Sequence, residues 1–411
     1  MTKLEQLINE LCPNGVEYKT LGELGKFFGG LTGKSKDDFT DGNAKFITYK
    51  NVYSNPALQI DVGDKVKIAD GEKQRTLQYG DVVFTGSSET PDECGISSVV
   101  TVKTDEKLYL NSFCFFFRFD DLSIMLPDFA KHLFRSSDLR YQIGKTASGV
   151  TRFNVSKKLM ENVTIPLPPI EVQSEIVRIL DNFTELTAEL TAELTARKKQ
   201  YEYYNNILLS FDNAEYKTLE ELCDIVDYRG KTPRKVDDGI FIVTAKNIRK
   251  GFIDYDKSKE YISPEDYDEV MHRGLPKIGD VLITTEAPCG NVAQIDNEKI
   301  ALAQRVIKYR PKSNNLNSTF LKYILLGKEF QDKLERAATG GTVKGIKGSK
   351  LHQLTIPVPS IEDQERIVAI LDRFDTLCND ISTGLPAEIA ARQKQYEYYR
   401  DMLLTFKEAS V

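Results

Sequence analysis

The chain has 411 residues, 41% of them hydrophobic, and carries 55 Lys and Arg against 61 Asp and Glu, a net charge of −6. That length favours two or three domains, and the apolar content is enough for more than one core, which argues against disorder. There is no apolar run long enough to span a membrane and no charged-then-apolar opening, and the six cysteines (Cys12, Cys94, Cys114, Cys223, Cys289, Cys378) form no CxxC pair, so a cytoplasmic chain with reduced thiols is expected.

In chain order, Lys3–Cys12 with Pro13-Asn14-Gly15 reads as a short helix and its stop, giving an N-terminal element over 1–15. Residues 16–168 read as an α/β domain. It opens on Glu17–Leu21 (E-Y-K-T-L) and continues through Gly33-Lys34, a strand at Phe46–Val52, a Gly-Asp strand at Gly80–Phe84 and Cys94-Gly95. An apolar strand at Cys114–Phe119 and an amphipathic helix at about Leu126–Ile143 complete it, before a Gly-containing basic loop. Pro168-Pro169-Ile170-Glu171 then starts a helix, since proline is tolerated and acid favoured in a first turn. No Gly or Pro follows until past Phe211, and Val172, Ile176, Leu180, Phe183, Leu186, Leu190, Leu194, Tyr201, Tyr204 and Leu208 form one apolar stripe. The resulting helix over 169–212 is a rod of about 60 Å that needs a partner. It also concentrates acid: Glu171, Glu175, Asp181, Glu185, Glu189 and Glu193 face only Arg178, so the net charge describes no single face. The tetrapeptide T-A-E-L occurs twice in tandem, Thr187–Leu190 and Thr191–Leu194. It is either slippage in a simple helix or a ruler adjustable by about one turn.

The second half repeats the first. Residues 165–183 match 356–374 at an offset of 191 (356 − 165), and 196–211 match 391–406 at an offset of 195 (391 − 196). The domain landmarks recur over 213–359 as Glu215–Leu219, Gly230-Lys231, Phe241–Ile248, Gly279–Ile283, Cys289-Gly290, Arg305–Arg310 and Ser318–Arg336. A second long helix over 360–411 is interrupted at Gly384-Leu385-Pro386, where a kink is expected. The reading is α/β (α+β): two domains with curved, mostly antiparallel sheets, separated by two long antiparallel coiled-coil helices in a pseudo-two-fold internal repeat. The ends of the chain are expected to meet.

Catalytic signatures are absent: no GxGxxG after a strand, no P-loop, no GxSxG and no adenine-methyltransferase tetrapeptide. His132, His272 and His352 lie far apart without ligand spacing, so they read as structural and no metal is expected. A nuclease-like pattern, Pro91-Asp92 with Asp105-Glu106-Lys107, has no counterpart in the second copy and reads as chance. Basic loops are the positive signal. Lys145, Arg152, Lys157 and Lys158 lie in an acid-free stretch, and Lys344, Lys347 and Lys350 lie at the matching place in the second copy. Lys34, Arg229, Lys231, Arg234, Lys246 and Arg249 add further cations near glycine or turn residues. Flexible backbone, Lys or Arg and short hydroxyl side chains suit phosphate contact, so these residues are the candidate DNA contacts.

I-P-L-P-P-I-E-V-Q at 165–173 and its copy at 356–364, I-V-R-I-L-D-N-F, R-K-K-Q-Y-E-Y-Y and the tandem T-A-E-L resemble the specificity subunit (HsdS) of type I restriction-modification systems over essentially the whole chain. The resemblance implies two target-recognition domains, each reading half of an asymmetric split site in double-stranded DNA. It implies docking of two HsdM subunits, which bring S-adenosylmethionine and adenine-N6 methylation, and of HsdR subunits, which bring ATP and Mg. No cofactor, catalysis or membrane is implied for this chain itself. The two Q-Y-E-Y-Y segments, with Tyr201, Tyr203, Tyr204, Tyr396, Tyr398 and Tyr399, are candidates for docking HsdM, against the alternative that they pack the helix seam. The competing functional class is a coiled-coil adaptor that binds proteins through two variable domains.

Overall fold

The structure is a computed structural model that describes residues 2–211, 214–228, 233–340, 344–380 and 383–409. The chain divides into two compact units, Met1–Leu190 with Glu388–Val411, and Thr191–Ala387. The division falls between the two T-A-E-L copies. Gly230-Lys231, expected as a landmark, lies outside the described residues.

The first unit is built on a four-stranded antiparallel sheet in the order Gly25–Gly29, Cys114–Phe119, Val82–Thr85, Ser97–Val99. The central strand C-F-F-F-R-F is buried on both faces except at Arg118, which explains its nearly unbroken apolar sequence. The second unit repeats the order with Cys223–Asp227, Val306–Pro311, Val281–Thr285 and Cys289–Gln294. In each unit a two-stranded clasp joins the start of the domain to its end: Glu17–Thr20 pairs with Thr164–Leu167, and Glu215–Thr218 with Thr355–Val358. A smaller sheet in each unit contains one parallel pair, Phe46↔Tyr109 in the first and Phe241↔Ile300 in the second. The sheets are therefore antiparallel with one exception per copy.

Two expected strands are shorter than their apolar runs. The first ends at Ile47, because Thr48 caps a helix over Tyr49–Ser54 by accepting a hydrogen bond from the Asn51 N–H. The second ends at Val243. The expected amphipathic helices are each split in two, Pro127–Leu133 and Ser137–Gly144, then Ser318–Leu326 and Lys328–Ala337. Ser136 N-caps one second half, and extended Gly327 ends one helix and begins the next.

The long helix runs unbroken from Ile170 to Leu208. Its first turns bury Val172, Ile176 and Leu180 in the core of the first unit, together with Tyr396 of the last helix and Leu404 just beyond it, and Phe183 stacks on Tyr399. Its last turns pack against the core of the second unit through half-buried Tyr201 and Leu208, and Leu209, just past its end, is buried in the same core as Ile367 and Leu371. There Tyr201 and Tyr204 meet Phe374, and Arg197 and Lys198 lie near Cys378, which makes the two helices antiparallel within that unit. No residue from 181 to 208 is fully buried: Phe183, Tyr201 and Leu208 pack half-buried against the cores, and the turns between them are made of good helix formers. The second long helix does not bend as a continuous rod. It stops at Asn379 and a new helix begins at Leu385. Gly384 makes the stop tight: a Cβ there would lie 2.4 Å from the Thr376 carbonyl oxygen, and Pro386 follows in the first turn of the new helix, where its missing N–H costs nothing.

Residues near the two ends of the chain do meet. Val16 donates to the Lys407 carbonyl and accepts from the Ala409 N–H, both within the first unit. Gly15 is at φ +103°, and a Cβ on it would sit 2.6 Å from the Lys407 oxygen.

One side chain in each copy fixes the long helix to its domain. Gln173 is fully buried, donates to the carbonyls of Ile124 and Pro168 at 2.8 Å each, and accepts from the Leu126 N–H at 2.8 Å. Gln364 does the same with Asn315, Pro359 and Asn317 at 2.8–2.9 Å. Replacing Gln173 by Leu strands three backbone groups at a cost of about 1–3 kcal/mol for each buried unsatisfied group. Urea denaturation of Gln173→Leu is therefore expected to show a loss of at least about 3 kcal/mol in the first unit, and Gln364→Leu the same in the second. A loss below about 1 kcal/mol would mean the glutamine is replaceable packing.

Candidate nucleic-acid interface

The basic loops leave each sheet at a junction that is the same, bond for bond, in both units. In the first, Gly86 donates to the Phe113 carbonyl (2.8 Å), Val155 donates to the Gly86 carbonyl (3.0 Å), and the Ile96 N–H donates to Thr85 Oγ1 (2.9 Å). In the second, Thr285 donates to Arg305 (2.9 Å), Ile346 to Thr285 (3.0 Å), and Asn291 to Thr284 Oγ1 (2.9 Å). Each basic segment thus returns along the tip of a core strand, which anchors it to the sheet.

The segment from 145 to 158 presents four of the sequence candidates. Lys145 is exposed, with its ammonium 4.1 Å from the centre of the exposed Tyr141 ring. Arg152 is exposed and donates through Nε and Nη2 to Ser87 Oγ at 3.1 and 2.9 Å, while Lys157 and Lys158 are exposed on a short helix. In the second unit Lys347 and Lys350 are exposed, and Lys344 is exposed but paired with Glu335 at 2.6 Å. The remaining candidates are not gathered at this junction. Arg234 and Lys246 are exposed around the smaller sheet, and Arg249 there pairs with Asp254 at 3.3 Å. Arg229 and Lys231 lie outside the described residues. Lys34 is not presented to a ligand at all. Its side chain is 8% exposed, and Nζ donates to the Lys67 carbonyl and to Glu72, both at 2.6 Å, which holds the Glu72 carboxyl down at about 2.

Two acid–base pairs that sequence reading missed brace the sheet beneath the junction. Asp81 and Asp280, the aspartates of the Gly-Asp landmarks, each accept a two-pronged hydrogen bond from an arginine on the neighbouring strand, Arg118 and Arg310, at 2.6–2.7 Å. Each also accepts from a backbone N–H three residues earlier, Gln78 and Lys277. Burial pushes the Asp81 carboxyl up in spite of the hydrogen bonds from Arg118 and the Gln78 N–H. The nuclease-like pattern is not assembled: Pro91–Glu93 is a turn held by Arg140, while Glu106 pairs with Lys45 of the smaller sheet.

The tyrosines of the two Q-Y-E-Y-Y segments divide by position. Tyr203 and Tyr398 are more than 60% exposed, and Ile207 and Met402 one turn further on are about half exposed, so each copy leaves an apolar patch at the surface. Tyr204 and Tyr399 lie at its edge with their rings stacked on Phe374 and Phe183. Tyr396 is buried in the core of the first unit and so is not presented to a partner, while Tyr201 packs half-buried against the core of the second.

The type I restriction modification DNA specificity domain matches this chain twice, over residues 13–197 and 212–391. The chain belongs to that family. A type I restriction enzyme specificity subunit of Escherichia coli is 40% identical over 278 residues, which is 61% of this chain and 65% of that protein. A putative specificity subunit of Haemophilus influenzae is 34% identical over 277 residues, covering 63% and 68%. Similarity to the first is thus confined to less than two thirds of its length. A chain solved in a study of complex assembly and conformational transition of the type I R-M system shares the fold, with a TM-score of 0.61 at 18% identity and coverage of 95% and 98%.

In this family member the core tyrosine is part of a buried polar chain. His132 is 1% exposed. Its Nδ1 lies 2.9 Å from the Tyr396 hydroxyl and its Nε2 lies 2.8 Å from Asp181, to which Lys131 also bonds. In the second unit Tyr323 reaches Asp372 directly at 2.5 Å. Burial lowers the His132 pKa, with the Lys131 charge adding to it and Asp181 and the more distant Asp128 opposing; Arg400 lies beyond the Tyr396 ring. Burial works against the Asp181 carboxylate too, but bonds from His132 and Lys131 outweigh it and hold its pKa below the usual range. Because the folded-state pKa of His132 is depressed below the unfolded value of about 6.5, its neutral form stabilises the first unit above that pH. The contribution is lost as pH falls through the folded pKa, while that of Asp181 persists to more acid pH. Thermal melts between pH 7.5 and 5 are expected to show acid destabilisation that is smaller in His132→Gln. Parallel pH profiles would show that His132 does not titrate on unfolding.

Proposed function

We propose that this chain selects the DNA sequence for a type I restriction-modification enzyme and performs no covalent chemistry itself. Each unit reads one half of a split, asymmetric site in double-stranded DNA. The observation that carries this reading is the repeated junction: one hydrogen-bonded frame, used twice, presents different side chains in its two copies. Two different readers on one scaffold are what an asymmetric site requires.

In this reading the exposed Lys145, Lys157, Lys158, Lys347 and Lys350 contact phosphates. Such contacts fix register and make affinity fall steeply with salt, by about 0.9 in log–log slope for each phosphate neutralised. Base edges are read by side chains at the junction. The exposed patches at Tyr203 and Tyr398 dock two methyltransferase subunits, which carry S-adenosylmethionine and methylate adenine at N6. Nuclease subunits that use ATP and Mg join the same assembly. The cytoplasm, where chromosomal DNA lies, is the matching compartment, and the six unpaired cysteines accord with it.

Co-expression with the methyltransferase subunit in an unmethylated host, followed by genome-wide mapping of N6-methyladenine, is expected to give one motif of two short halves around a fixed gap. A complex that assembles and binds its cofactor, yet binds no DNA and methylates nothing, would favour the protein adaptor. The same mapping tests the ruler. One further T-A-E-L after Leu194 lengthens the helix by about 6 Å, so the gap is expected to widen by at most two base pairs at about 3.4 Å each, with both halves unchanged. An unaltered gap would reduce the repeat to a simple helical filler.

A further inference from the structure

The repeated junction places one side chain at the same point in each unit, and the two differ completely. Phe113 and Arg305 both lend their backbone carbonyl to the strand tip, through Gly86 and Thr285, and both project outward. Phe113 is 61% exposed, an unusual state for phenylalanine, and with Tyr49, Tyr53, Ser87 and Arg152 it lines an open cavity of about 660 Å³. Arg305 is 54% exposed and holds φ +71°, a left-handed conformation that a residue with a Cβ adopts at a cost. Among the described residues its guanidinium pairs with Glu286, half-exposed, with Nε 3.3 Å from the carboxylate. Glu286 corresponds to Ser87, the acceptor for Arg152, so in both units an acceptor on the strand tip aims an arginine across the junction. Backbone strain retained under a solvent-facing side chain is a mark of function rather than of packing.

We propose that Phe113 and Arg305 are base-reading residues of the two domains, Arg305 donating to O6 and N7 of a guanine and Phe113 packing on the methyl group of a thymine. The chemistry of each follows from its groups. A guanidinium oriented by a carboxylate offers paired donors to the two acceptors that guanine shows in the major groove, and an aromatic face offers apolar contact to the only base that carries a methyl group. Glu286 fixes the fork as it enters, and the rigid hydrogen-bonded frame holds both residues at one height on their domains. This deepens the specificity-subunit reading and rests on it.

The test uses the complex with the methyltransferase subunit, N6-methyladenine mapping, and methylation rates on duplexes with single base changes. Arg305→Gly removes the guanidinium and relaxes the backbone, so it is expected to assemble as wild type. It should lose preference at one guanine in one half-site and slow methylation of the wild-type site at least about tenfold, leaving the other half unchanged. Phe113→Ala should relax one thymine in the opposite half. Should Arg305→Gly fail to assemble, Arg305→Gln gives the same reading. Unchanged motifs with rates within about twofold of wild type would overturn the proposal, as would relaxation at a base other than those named or in both halves at once. A wild-type complex that methylates no split motif would instead overturn the specificity reading beneath it.

Discussion

Everything else in this molecule depends on how a long helix can be held at a fixed angle by a domain that touches only one end of it. A helix of 39 residues has great leverage, and an apolar stripe alone lets it slide or roll. The buried glutamines remove that freedom. A glutamine amide has a fixed donor and acceptor, and at Gln173 and Gln364 these meet two carbonyls and one N–H from two different loops. Three hydrogen bonds in a low-dielectric interior are satisfied by one rotation of the helix only, whereas leucine packing would accept several. The proline-led helix start, the clasp strands and the glutamine together make the helix root a rigid part of each domain.

The same economy governs the proposed reading surface. The sheet order, the Gly-Asp turns whose buried aspartates accept from half-exposed arginines, and the strand-tip hydrogen bonds are common to both units. What differs is carried by side chains outside the core: the outward-facing Phe113 against Arg305, and at the strand tip Ser87, which accepts from Arg152, against Glu286, which pairs with Arg305. Positions without a packing role can change without loss of the fold, which lets one frame serve two readings. The histidine network shows the limit of that freedom. His132 and Tyr323 both satisfy an aspartate of the long helix, one with a tyrosine as further link and one directly, so even the core tolerates different chemistry where the bond is kept.

Much of this was legible in the chain. The duplicated signatures, the Gly- and Pro-free run to Phe211 and the break at Gly384 define the helices, because helical period and helix breakers act locally. The Gly-Asp landmarks marked the braced strands without showing that Arg118 and Arg310 complete them, since those partners are about 30 or more residues away along the chain. The apolar runs at Phe46 and Phe241 read as longer strands than they are, because periodicity cannot see a cap such as Thr48. The split of each amphipathic helix at Ser136 and Gly327 went unread for the same reason.

The list of cations illustrates the division most clearly. Sequence showed that Lys34, Lys145, Arg152 and Lys157 share a composition suited to phosphate, but charge in a sequence carries no direction. Folding brings Glu72 and the Lys67 carbonyl to Lys34 and consumes its charge, while it leaves Lys145 and Lys157 facing water. In the same way the sequence by itself determined the family, the two-fold repeat and the helical spacer, all of which follow from local pattern and from matching one half of the chain to the other. Only the tertiary structure decided which tyrosines are core and which are surface, and that Phe113 and Arg305 occupy one equivalent point. Burial and coincidence in space are set by residues distant in sequence, and no local pattern records them.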